Sequence, residues 1–501
     1  MVFDFEKNKF VETENLSSLP FIVGTDAEFT QQQVFQLHLQ LKEKLLSLNI
    51  PFGHPVIIFG EKEALFPIAV ITLISLDLPY IPIDVIMPGG RIEKIKELSQ
   101  SKVIINCSEI NCPVNFEIQI TCGLEIKKTK EGVNFPVFAY PNDPLRYILF
   151  TSGSTGEPKG VQITKTALNS FVNWFKTWEG INENTVFMNQ APFSFDISLA
   201  DIIGTFACGA TLILNGYKIL TNGNLFLERL YKYNGNTLVC TPSFLQMYLS
   251  IPEFNFSHYP HLKQAIIAGE ELSTVLVSKL RKAFPKLKII NAYGPTEATV
   301  YTTYIEIDES IQKNNPKTVP IGYCRPDGQI LILNETNNPE EPGEIIIVGN
   351  HVSIGYLNNK EKNETSFFIH NGKRAYKTGD QGYIKNKIIY FLGRLDGQIK
   401  INGYRIELDE ITICLLKHPQ IENAVVIPLV NKSIAKKIIA FVIFKKTVEK
   451  DEINSVLKNY LSVSLPKYMV PSEFILISEM PLNSNYKIDK KALLEKYMSD
   501  N

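Results

Sequence analysis

The stretch "RYILFTSGSTGEPKGVQIT", Arg146–Thr164, decides how this chain is read. An apolar run, "YILF", opens into a loop of hydroxyls and glycines that closes on Lys159. Gly153 and Gly156 let backbone N–H groups turn together toward an anion. The hydroxyls of Thr151, Ser152, Ser154 and Thr155 can donate to phosphate oxygens, and Lys159 adds a positive charge. That is the inventory of a triphosphate or pyrophosphate cradle; a flexible Gly/Ser surface loop is the other reading of the same residues. A Walker loop is excluded, because it needs Gly-Lys-Ser/Thr, and here Lys159 stands between Pro158 and Gly160. Ala167, Leu168, Phe171, Trp174, Phe175 and Trp178 recur at helical spacing and predict an amphipathic helix within a few residues of the loop.

Working outward, the first half of the chain alternates elements. "PVIIFG" reads as a buried strand, "KEALFPIAVITLISLD" as a helix, "PYIPID" as a strand, "RIEKIKELSQ" as an amphipathic helix and "KVIINC" as a strand. "GATLIL", "NLFLERLYKY", "TLVCT", "PSFLQMYLS" and "QAIIAG" repeat the rhythm, which predicts an α/β layered fold with a largely parallel sheet. From about Val319 short strands are parted by turn residues, with "GQILILNETNNPEEPGEIIIVG" reading as a hairpin. After "GRLDGQIK" a helix, two strands and a second helix predict a small α+β domain. The expected division is a core of layered α/β subdomains with a β-rich part, 1–395, and a small lid, 396–501.

Composition bounds the function. With 501 residues the chain is long enough for two or more domains, and 51 basic against 52 acidic residues argue against a general nucleic-acid binder. Seven scattered cysteines form no disulfide framework and read as reduced thiols. "FPIAVITLISL" is too short for a membrane span and ends at Asp77. No signal-peptide core opens the chain, so a cytoplasmic protein with no integral membrane segment is expected.

Three further loops carry polar residues suited to a nucleotide. "NAYGPTEAT", Asn291–Thr299, joins Asn291, Ala292, Tyr293, Gly294 and Thr296 to Glu297. Tyr293 could cover a base, and Glu297 could hold Mg²⁺ that bridges phosphates. Asp380 in "YKTGD" could accept hydrogen bonds from both ribose hydroxyls. Arg394, in "GRLDGQIKINGYRIE", is a candidate for the ribose or a phosphate.

The ordered set "TSGSTGEPKG", "FSFDIS", "NAYGPTEAT", "YKTGD", "GRLDGQIKINGYRIE", "LPKYMVP" and "NYKIDK" resembles the adenylate-forming superfamily, which spans acyl-CoA synthetases, luciferases and the adenylation domains of nonribosomal peptide synthetases. "NQAPFSFDISLADI" and "TPSFLQMYL" are similar to the members that load D-alanine onto a carrier protein. The resemblance implies ATP and Mg²⁺ as cofactors. It implies formation of an acyl-adenylate with release of pyrophosphate, then transfer to a phosphopantetheine thiol on a carrier. Lys487 matches the lid lysine that stabilises charge at the α-phosphate, although Tyr486 replaces the usual glycine. Asp396 matches the hinge, and Gly403 the loop that lines the thiol tunnel.

Asp196 matches the aspartate that pairs with the α-ammonium in amino-acid-activating members; a helix cap before "ISLADI" is the bland reading. Pocket positions carried over are Ile197, Ala200, Val239, Ile266, Ala268, Ala292, Val300 and Tyr301, with Lys487 at the substrate carboxylate. The wall is uncharged and suits a small or medium neutral amino acid, alanine or D-alanine first. The D-alanine ligases carry a cysteine where this chain has Ala268. No carrier segment follows Lys487, so a separate carrier is expected. The rival readings are an acyl-CoA synthetase and a non-catalytic nucleotide-binding homologue. His258 and His261 read as surface or packing residues.

Overall fold

A computed structural model describes residues 1–12, 20–130, 132–136, 138, 142–153, 156–314, 319–396, 398–401, 403–431, 434–445, 450–481 and 488–500. They group into two compact units. The first holds Met1–Val85, Ile95–Phe150 and Lys159–Asp396; the second holds Ile86–Lys94, Thr151–Pro158 and Gly397–Asn501. The first part of the glycine loop thus clusters with the C-terminal residues, and Lys159 with the large unit.

The large unit is built on two mostly parallel sheets and one antiparallel sheet. A nine-stranded sheet runs in the order Tyr323–Cys324, Thr303–Glu306, Lys288–Tyr293, Gln264–Ile267, Thr237–Cys240, Val186–Asn189, Thr211–Leu214, Ile22–Val23 and Glu28–Phe29. The six strands from Lys288–Tyr293 to Ile22–Val23 pair in parallel, with Val239 beside Ile266 and Ile266 beside Ile290. These strands are apolar without alternation because helices cover both faces. A seven-stranded sheet contains Val56–Phe59, Tyr80–Ile83, Val103–Asn106, Leu145–Thr151 and Lys159–Thr164. The antiparallel sheet takes in the expected hairpin, Gly328–Leu333 against Gly343–Gly349, and the long strand Lys373–Lys385.

The helix Ile197–Cys208 packs on Val186–Asn189, Thr211–Leu214 and Thr237–Cys240 and is apolar nearly all round, which suits full burial. Gly204 permits the approach: a Cβ there would lie 2.5 Å from the Phe187 ring. Gly209, at φ 77°, ends the helix in the left-handed conformation that favours glycine.

Downstream of the glycine loop the chain departs from expectation. The loop leads into a strand, Lys159–Thr164, and only then into the helix Lys165–Phe175, capped by the Thr164 hydroxyl on the Ala167 N–H. Helical spacing marked the buried face correctly but ran too far. Trp178 lies beyond the helix, where it stacks on Tyr304 at 4.6 Å. The second unit contains the helix Leu408–Leu416 and the strands Ile421–Asn431, Ile434–Phe444 and Glu473–Leu476 around its own apolar core.

Candidate active site

The strand Lys288–Tyr293 delivers the loop "GPTEAT" to the C-terminal edge of the parallel sheet, where ligands bind in open α/β folds. Gly294 makes the turn possible, since a Cβ there would sit 2.6 Å from the Val300 carbonyl. The Asn291 side-chain amide donates to the Pro320 carbonyl at 2.8 Å. Thr296 and Glu297 sit in the short 3₁₀ turn Thr296–Ala298.

Glu297 is fully buried, and its Oε1 accepts from the Tyr356 hydroxyl at 2.7 Å. The Lys159 ammonium lies 5.4 Å from the centre of the same Tyr356 ring. The cause is backbone pairing: Gln162 N–H donates to Gly355 O and Leu357 N–H to Gly160 O, so strand Lys159–Thr164 lies along the chain at Tyr356. Lysine and glutamate, distant in sequence, thus meet on one tyrosine. Tyr356 belongs to no motif read from the sequence. Its surroundings, "VSIGYLNN", carry no charge or periodicity that would mark it.

Tyr293, Asp380 and Arg394 form one polar chain. The Tyr293 hydroxyl donates to Asp380 Oδ2 at 2.5 Å, and Arg394 Nη1 donates to Asp380 Oδ1 at 2.5 Å. Arg394 also forks onto Asp396, at 2.7 and 2.6 Å. Gly379, at φ 70°, leaves room for this fork, because a Cβ there would stand 2.9 Å from Arg394 Nη2. A carboxylate has about four lone-pair sites, so Asp380 retains capacity for ribose hydroxyls. Burial and the neighbouring Asp380 push the Tyr293 phenol well above its ordinary value, so it remains a donor.

The carried-over pocket residues are all buried in the large apolar core of the first unit. Ile197, Ala200, Val239, Ile266, Ala268, Ala292, Val300 and Tyr301 all belong to one buried cluster. Val239 and Ile266 are neighbours across parallel strands, and Ile197 and Ala200 come from the helix over them. Asp196 immediately precedes that helix and makes no cap hydrogen bond, so the capping reading is not realised. Tyr301 is 1% exposed; burial, and then Asp201 and Asp196, push its phenol well up.

In the second unit, Thr151 and Ser152, at the start of the loop, are buried. Gly153 N–H donates to Glu410 Oε2 at 3.0 Å, the Ser152 hydroxyl donates to Arg405 O at 2.9 Å, and Gly156 takes φ 80°. The loop N–H therefore already meets a carboxylate. Gly403 lies at φ 81° in the turn between Gln398–Ile401 and Tyr404–Glu407. Ser154, Thr155 and Lys487 lie outside the described residues.

Among the described residues no group of three His, Cys, Asp or Glu side chains could cage a metal, and no helix is long and apolar enough to cross a membrane. A single buried carboxylate is nevertheless what Mg²⁺ uses when phosphates and waters complete its shell, and Glu297 fits that donor set. The His258 ring meets Asn255 and the His261 ring the Leu230 carbonyl, as packing residues do. All seven cysteines are free thiols.

Residues 11–357 match the family of AMP-binding enzymes, and residues 410–487 match the AMP-binding enzyme C-terminal domain. The chain belongs to this family: it is an ATP-using enzyme of the adenylate-forming kind. Within it, the chain is 35% identical to a D-alanine–D-alanyl carrier protein ligase of Bacillus licheniformis, over 97% of this chain and 98% of that ligase. Its fold is shared with a Vibrio cholerae adenylation domain bound to glycyl-adenosine-5'-phosphate (TM-score 0.80, 21% identity, 96% and 95% covered). It is shared equally with o-succinylbenzoate CoA synthetase from Bacillus subtilis (TM-score 0.79, 21% identity, 95% of each chain).

Proposed function

We propose that the chain activates a small neutral amino acid, D-alanine first, as its adenylate and passes it to the phosphopantetheine thiol of a separate carrier protein in the cytoplasm. The observation that carries the reading is the small apolar side chains Ala200, Ala268 and Ala292, all buried, with Asp196 at the head of the helix Ile197–Cys208. The whole-length likeness to D-alanyl carrier protein ligases supports the choice of amino acid and acceptor.

In the first step a carboxylate oxygen of the amino acid attacks the α-phosphorus of ATP, and the bond to the bridging oxygen breaks as pyrophosphate leaves. Asp196 holds the α-ammonium, and the Asp380–Arg394 pair holds the ribose. Lys159 and the hydroxyls and N–H groups from Thr151 to Gly156, Ser154 and Thr155 among them, cradle the β- and γ-phosphates once the Ser152 hydroxyl and Gly153 N–H leave Arg405 and Glu410. Lys487 neutralises the charge that grows at the α-phosphate. Bound Mg²⁺, held by Glu297, would neutralise phosphate charge. In the second step the carrier thiolate attacks the adenylate carbonyl and AMP leaves. We place the core at 1–395 and the lid at 396–501, with Asp396 as hinge and Gly403 beside the pantetheine arm.

Pyrophosphate exchange into ATP, measured across L- and D-amino acids, tests this reading. Exchange is expected with D-alanine or another small neutral residue. Exchange with none, or product on free coenzyme A in preference to a carrier, overturns it.

A further inference from the structure

Lys62 follows the strand Val56–Phe59 in "GEKEAL", where a lysine is expected in solvent. It is 2% exposed. Its ammonium donates to the Asn189 side-chain carbonyl and to the Ala191 backbone carbonyl. It also lies 4.0 Å from the centre of the Phe193 ring, which stacks on Phe66. Asn189 passes the contact onward: its amide donates to Asp201 Oδ2 at 2.6 Å, and its backbone carbonyl accepts from Asn215 at 3.0 Å. Asp201 stands on the helix Ile197–Cys208.

One ammonium therefore ties together the end of a sheet strand, the loop that leaves it and, through Asn189, the next helix. Asp196 lies midway along the chain between Ala191 and Asp201, so both flanks of its backbone are fixed from one point. The arrangement is costly. Burial pulls Lys62 down to about 8 against the pull of Asp84, Asp201, Glu61 and Glu63, and it pushes Asp201 up to about 7. An apolar side chain of similar length would remove that cost. A buried charge kept at such a node fits a requirement for exact placement better than one for stability.

We propose that Lys62 is a positioning residue for amino-acid binding: it holds the segment Asn189–Phe193 against the helix Ile197–Cys208 and thereby sets where the Asp196 carboxylate stands. This rests on the reading of Asp196 as the ammonium anchor.

The test is amino-acid-dependent pyrophosphate exchange by the full chain, as wild type, Lys62→Met, Lys62→Gln and the double variant Lys62→Met/Asp201→Asn. In Lys62→Met the KM for the amino acid should rise about tenfold or more, as misplacement of a binding group does, while the KM for ATP stays unchanged. Lys62→Gln keeps one donor and should fall between. The double variant also neutralises Asp201, which loses the nearby positive charge in Lys62→Met, so it should recover melting temperature without recovering the amino-acid KM. If Lys62→Met does not fold, the double variant carries the test. A wild-type amino-acid KM in a folded variant overturns the proposal, as does an equal rise in both KM values. A wild-type chain without amino-acid-dependent exchange overturns the activity reading, and this proposal with it.

Discussion

The two ends of the proposed site in the large unit are built on opposite plans. At the proposed nucleotide end, polar side chains hold one another: Tyr293 and Arg394 grip Asp380, and Arg394 grips Asp396. At the proposed amino-acid end, small apolar residues form the wall, and the buried charges Lys62 and Asp201 are joined through Asn189. The first plan presents hydrogen-bonding capacity that any nucleotide of the right shape can use. The second presents shape, and one placed carboxylate, to a ligand that differs from its competitors by a methyl group. A single methylene separates ligands by only about 1–3 kcal/mol, so the second plan depends on rigid placement in a way the first does not.

That contrast can be broken most sharply at Asp196. Asp196→Ala should cut amino-acid-dependent exchange by ~10²–10³-fold, the cost of stranding a buried ammonium, while equilibrium binding of ATP is retained. Comparable loss of ATP binding would mean the two ends are not separate. Next, Asp380→Asn weakens a charge-assisted grip and should raise the KM for ATP by ~10–10²-fold. The ranking of amino acids in the exchange assay should not move; a changed ranking would contradict the division. Tyr356→Phe removes one donor from the buried Glu297 carboxylate and should lower kcat by about tenfold, seen in single-turnover adenylate formation with little change in either KM.

The smallest effect is acid sensitivity, and it should spare the difference between the ends. His54 accepts from the Lys102 N–H on Nε2, and burial takes it down to about 4; burial and Arg325 take His351 down to about 3. Both rings are held neutral, below the unfolded value near 6.5. Their contribution to stability is therefore present above about 6.5 and is lost as pH falls toward 4 and 3. Between pH 7 and 6 each histidine should cost somewhat under ~1 kcal/mol, measured by chemical denaturation. A midpoint that rises on acidification would refute the assignment of neutral rings.

The Tyr293–Asp380–Arg394 cluster is legible in sequence because its residues come in short runs whose glycines and charges lie side by side: "NAYGPTE", "YKTGD", "GRLD". Local spacing there already fixes what each loop can present. The same cannot be said of Tyr356 and Lys62. Tyr356 meets Glu297 across 59 residues, and Lys62 meets Ala191 across 129, so their roles exist only once strands have paired. The strand Lys159–Thr164 was hidden for a related reason: "KGVQIT" is too short and too mixed to announce itself between a loop and a strong helical pattern. The apolar wall was legible as a list of positions but not as a surface, because Val239 and Ile266 become neighbours only through sheet register.

Thr299 and Val300 stand consecutively at φ 53° and 67°, a conformation β-branched residues adopt at a cost. The Gly294 turn and the Thr299 hydroxyl on His351 O hold them there. An engineer who wished to retarget this enzyme would therefore find two kinds of position in the proposed pocket. Ala200 and Ala292 rest on regular helix and strand, where a larger side chain changes volume alone. Val300, and Tyr301 beside it, belong to a bent backbone, where any exchange also resets the turn that carries Glu297. Retargeting by the first pair should yield gradual shifts in preference; by the second, enzymes that change substrate and lose turnover together.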